Sequence, residues 1–134
     1  MFIRMSQRHA AERDILILTR SLRSAIGDLN KHHRSNDGEY FWTRDTQYYL
    51  RQRLWRIDRV LGDLKKPVYK RFGSQSGYAR HRAELHGWVY LWLIRPTEFL
   101  SMSTGAYAAN LRLIADNSVE FARDLERELE GGPL

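Results

Sequence analysis

The stretch Leu50-Arg51-Gln52-Arg53-Leu54-Trp55-Arg56-Ile57-Asp58-Arg59-Val60-Leu61-Gly62-Asp63-Leu64 decides how the chain is read. Leu50, Leu54, Ile57, Leu61 and Leu64 follow one another at intervals of 4, 3, 4 and 3. That is the helical period held for two heptads, so the segment predicts an amphipathic helix. Thr43 or Asp45 can cap its start. Pro67, with no N–H and a ring that clashes with the preceding turn, is expected to stop it shortly after Lys66.

Working outward, Ile15, Leu18, Leu22, Ile26 and Leu29 fall on a single stripe about 80° wide and predict a helix from about Ser6 to His33. Residues 1–5 read as an N-terminal arm, and His33 to Gly38 as a turn. On the other side, Val68 to Gly77 reads as a loop with two glycines and several basic residues. A third helix is expected over Tyr78 to Ile94, with Tyr78, His81, Leu85, Trp88, Val89 and Trp92 on its stripe. Tyr90, Leu91, Leu93 and Ile94 make its second half apolar all round, the pattern of a helix at the centre of a structure. Trp88 to Ile94 also suits a buried strand, but no second strand is present to pair with it. Thr97 to Ser103 reads as a turn. A last helix, Thr104 to Glu130, carries Tyr107, Leu111, Ile114, Phe121, Leu125 and Leu129 on one side, with Asn117-Ser118 as an interruption. Gly131-Gly132-Pro133 should end it, leaving residues 131–134 as a tail. No repeat or Pro/Gly-rich linker divides the chain. The expectation is an all-α, single-domain helical bundle of four main helices over residues 1–134.

Composition narrows the function. With no cysteine among 134 residues, disulfides, thiolate metal sites and cysteine nucleophiles are excluded. The start, Met1 to Met5, runs into polar residues rather than the apolar core of a signal peptide. The longest apolar run, Trp88 to Ile94, is far short of the roughly 20 residues that span a bilayer. A cytoplasmic protein with no membrane partner is expected. Arginine outnumbers lysine 18 to 4, and guanidinium forks grip phosphates bidentately and stack on bases. Residues 1–95 hold 19 basic and 9 acidic residues, whereas residues 96–134 hold 3 and 7. Lys65 to Arg82 contains six basic residues and no acid. Such asymmetry suggests a polyanion partner, an intramolecular charge clamp, or self-association through the acidic C-terminal helix.

The candidate binding surface is the back of the second helix. Arg44, Tyr48, Arg51, Trp55 and Arg59 fall nearly opposite its leucine stripe, with Arg56 beside them. Rings provide stacking platforms for unpaired bases, and arginines neutralise phosphates. Lys65, Lys66, Lys70, Arg71, Arg80 and Arg82 could extend that surface. Helix 1 has a smaller counterpart in Arg13, Arg20 and Lys31. The competing reading makes Tyr48 and Trp55 a second packing face with arginines snorkelling outward. A third uses the same residues for protein recognition, since Trp, Tyr and Arg dominate binding hot spots.

Arg80-His81-Arg82-Ala83-Glu84-Leu85-His86 resembles the Arg-x(4–6)-His signature of HEPN ribonucleases, which are small helical bundles. The resemblance covers seven residues and implies roles for Arg80 and His86 at an RNA phosphodiester and its 2′-hydroxyl. The same spacing recurs at Arg4 and His9, about as often as chance gives in so arginine-rich a chain. His81 sits on the apolar stripe, where a hydrogen-bonded core histidine is expected. The neighbours His32 and His33 point apart, and His81, Glu84 and His86 lack the i, i+4 spacing of a zinc helix. Gly73 to Gly77 lacks the lysine and the strand context of a phosphate loop. No cofactor is expected, and the chain reads as a non-enzymatic binder of RNA or single-stranded DNA with little sequence specificity. The alternative is a protein-interaction module using the same arginines on an acidic protein surface.

Overall fold

The computed structural model describes residues 2–35, 44–94 and 104–131, and side chains over 8–29, 51–91, 93 and 112–130. The chain forms α1 (Phe2–Ser35), α2 (Arg44–Asp63), α3 (Lys65–Phe72), α4 (Gly77–Ile94) and α5 (Thr104–Glu126), and a π-helical turn over Arg127–Gly131 closes it. The fold is a small all-α bundle, as the periodicity implies. The expected turn at 97–103 lies outside the described residues, as does the second half of the turn after α1.

The stripes read from the sequence are the ones that meet. Ile15, Leu22, Ile26 and Leu29 of α1 are buried against Leu54, Ile57, Leu61 and Leu64 of α2 and Phe121 and Leu125 of α5. Each such side chain contributes about 1.5–3 kcal/mol by leaving water. The principal packings run α1 on α2, α2 on α4, α4 on α5 and α5 on α1, with α3 wedged against α1 and α4. The four long helices therefore close a ring in which α2 and α5 stand diagonally opposite.

Several expectations change. Pro67 does not end helical structure; it restarts it. α2 stops at Asp63, and Pro67 occupies the first turn of α3, where a missing N–H costs nothing. Leu64 bridges the corner, its N–H donating to Val60 and its carbonyl accepting from Val68. The stretch read as a loop is thus helical to Phe72, where Gly73 takes φ +93° and donates its N–H to the Tyr69 carbonyl. Ser76 then caps α4, its Oγ accepting from the N–H of Ala79 at 3.1 Å. The N-terminal arm is instead helical from Phe2, because no breaker precedes Ser6. α5 runs unbroken through Asn117-Ser118, since Asn117 Nδ2 bonds back to the Leu113 carbonyl at 2.9 Å and Ser118 is buried. Gly131 belongs to the closing π turn rather than to a tail.

A further change concerns α4. A ring of four helices has no central member, so only one flank of α4 is enclosed, by Ala79, Leu85, Val89 and Leu93. Trp88, Tyr90 and Leu91 remain about half exposed (52%, 51% and 47%).

Candidate nucleic-acid interface

On α2 the apolar stripe faces α1 and α4, and the opposite side is left open. Arg51, Trp55 and Arg59 stand there one turn apart, all exposed. Trp55 retains 50% of its surface, so it is not part of a second packing face. Among the described residues no ion pair engages Arg51 or Arg59, whereas Arg56 beside them is bound to Asp28 of α1 at 2.7 Å. Tyr48 and Arg44 lie one and two turns further back on the α2 backbone; their side chains fall outside the described residues.

The pairing of α2 with α4 widens this face. Arg82 meets Leu61, and His86 meets Asp58, so the two helices run antiparallel. One turn beyond His86, Tyr90 reaches the level of Leu54 and Trp55. Two half-exposed rings thus flank the outer edge of one helix pair.

The remaining sequence candidates do not form one strip. Arg82 is a correction: it is 4% exposed, and its Nη1 donates to the Leu61 carbonyl at 3.0 Å. Burial lowers its pKa from the usual guanidinium value, opposed by Tyr69 beside it. A buried cation at the end of α2 satisfies a carbonyl that the helix leaves orphaned. Arg71 is a second correction: its Nε is held by Glu12 of α1 at 2.7 Å, and its guanidinium lies over the Phe72 ring. In the sequence both arginines look like surface residues, because charge predicts solvent until a partner is known. Lys65 is exposed, its Nζ 5.8 Å from the Tyr69 ring centroid. Lys66 and Lys70, one turn apart, border a groove between α1 and α3 that also contains Asp14, Asp63 and Ile17. Arg80 is exposed on α4.

His86 has a different neighbour from the one its motif implies. Its Nε2 lies 3.1 Å from Asp58 Oδ1, and its Nδ1 lies 3.4 Å from Arg82 Nη1. Because a guanidinium only donates, Nδ1 is the acceptor and Nε2 carries the proton in the neutral ring, close to Asp58 Oδ1 but without the alignment of a hydrogen bond. Arg80, six residues before His86, is about 120° away around the helix. The structure brings Asp58 and Arg82, not Arg80, to this histidine. His81 is partly buried, its ring edge-on to Phe121 at 5.1 Å. Asp58 pointing at His86 was not anticipated; the i, i+4 step from Arg82 to His86 was the available sign.

The acidic C-terminal end turns inward. Glu126 pairs with Arg23 at 2.9 Å and Glu130 approaches Arg20 at 3.9 Å, both arginines belonging to α1. Part of the basic counterpart on α1 is thereby neutralised by the chain itself. Among the described residues, no group of three His, Asp or Glu side chains could hold a metal ion. No helix described is long and apolar enough to cross a membrane. Comparison with protein-family models, with curated proteins and with solved structures finds no match to this chain.

Proposed function

We propose that this protein binds single-stranded nucleic acid, RNA or DNA, without catalysing a reaction on it, along the outer ridge of α2. The observation that carries this reading is Trp55, half exposed between the exposed guanidiniums of Arg51 and Arg59. A base stacking on an indole gains about 1–3 kcal/mol, and the flanking arginines neutralise the phosphates on either side. Contacts of this kind tolerate any base, so the strand is held chiefly by charge and stacking.

The test is fluorescence anisotropy of labelled oligonucleotides across a salt series. Affinity should fall linearly with salt on logarithmic axes, by about 0.7 per phosphate neutralised. Arg51→Glu combined with Trp55→Ala should weaken binding by at least about tenfold while helicity is retained, since both residues are exposed. Affinity indifferent to salt, or unchanged in that variant, overturns the reading.

The exposed Trp88, Tyr90 and Leu91 favour a second reading, in which the face of α4 grips a protein. A partner retained at a fixed ratio after nuclease digestion would establish it.

A further inference from the structure

We propose that the groove between α4 and α5 is a pocket for a guanine base. Its walls are two facing helical stripes: His81, Glu84, Leu85 and Trp88 of α4, and Ile114 and Asn117 of α5. The volume, about 350 Å³, stands at the small end of ligand sites and suits one heteroaromatic ligand. Leu85 and Ile114 are buried and make an apolar floor. Trp88, 52% exposed at the rim, supplies a ring for stacking.

The polar lining selects the edge of the ligand. Asn117 commits one of its two Nδ2 hydrogens to the Leu113 carbonyl, leaving Oδ1 to accept and one N–H to donate. Glu84 is exposed, and its carboxylate accepts as well. The carboxylate of Glu84 therefore calls for paired donors along one edge of the ligand, while the Asn117 amide can meet either a donor or an acceptor. Guanine has two adjacent donors, N1–H and N2–H2, which match the two oxygens of a carboxylate bidentately. Adenine and cytosine set one amine beside an acceptor nitrogen, and uracil sets one N–H between two carbonyls that a carboxylate repels. His81, able to donate or accept, is held edge-on to Phe121 and completes the rim. A guanidinium also offers paired donors, but Arg80 is exposed one turn before Glu84 and disfavours a second cation there. The same Arg80 suits the phosphate of a nucleotide.

This pocket adds a preferred base to the proposed single-strand binding and rests on that reading for how the base arrives. Its test does not. The full chain is titrated calorimetrically with GMP, with IMP (which lacks only the N2 amine), with AMP and with arginine amide. GMP should bind at least about tenfold more tightly than IMP or AMP, the loss expected for one charge-assisted hydrogen bond. Glu84→Gln should erase that difference, and Trp88→Ala should weaken GMP; both residues are exposed, so circular dichroism should stay unchanged. Equal binding of GMP and IMP overturns the pocket, as does a GMP preference that survives Glu84→Gln. Arginine amide matching GMP overturns it in favour of a guanidinium ligand. GMP discrimination without oligonucleotide binding sinks only the single-strand reading. Salt-dependent oligonucleotide binding without GMP discrimination sinks only the pocket.

Discussion

The guanidinium of Arg82 does at the end of α2 what a glycine cap does at many helix ends: it takes up a carbonyl that has lost its helical partner. The loss follows from the break at Leu64, after which the backbone restarts in α3. Arg82→Met keeps the volume and the apolar stem but removes the donor. It should cost about 1–3 kcal/mol in a urea melt, the desolvation penalty of one stranded carbonyl. A variant as stable as the parent would show that water replaces the guanidinium. Few residues show more clearly why a charge count misleads. Arg51 and Arg82 are indistinguishable as letters, yet one faces solvent and the other lies among the α2–α4 contacts.

At the scale of elements, the hinge between α3 and α4 depends on Gly73. With φ +93° and ψ 152°, it sits in a region essentially closed to residues bearing a Cβ. Beyond its own chain neighbours no atom lies within 4 Å of the place an added Cβ would take, so Gly73→Ala tests the backbone alone. A loss of about 1–3 kcal/mol is expected by chemical denaturation, and a neutral result would mean the turn relaxes to another conformation. Such turns are what periodicity does not reveal. Leu54, Ile57, Leu61 and Leu64 announced α2 because each heptad position repeats the same demand for burial. Pro67 announced a break, and a break is present, but its place in the first turn of a new helix depends on what α3 packs against. The exposed rings of α4 were hidden for a related reason: hydrophobicity marks a residue as able to be buried, while only the arrangement of neighbours decides which of Val89 and Tyr90 is covered. Of the candidate surface, Arg51, Trp55 and Arg59 were legible from phase, whereas the internal pairing of Arg71 with Glu12 spans 59 residues and leaves no local trace.

For the molecule as a whole, pH provides a test of how the C-terminal end is seated. Tyr78 stacks against Phe72 at 4.5 Å, and its phenol is raised above the usual 10.0 by burial first and then by Glu128 and Asp124. Below pH 10 both folded and unfolded chains carry the proton, and stability is unaffected. Above it the unfolded chain ionises first, so the folded form binds more protons and stability falls as pH rises. Thermal melts from about pH 9 to 11.5 should show this decline, and Tyr78→Phe should flatten it. A decline of equal slope in the variant would place its origin in other groups.

The inward turn of Glu126 and Glu130 onto α1 has a consequence at longer range. It cancels positive charge on the α1–α5 side of the ring, while α2 and α3 keep Arg51, Arg59, Lys65, Lys66 and Lys70 at the surface. These side chains add local positive charge to a chain that is already a net cation. An anion drifting within a Debye length, about 8 Å at physiological ionic strength, exerts a torque before any contact is made.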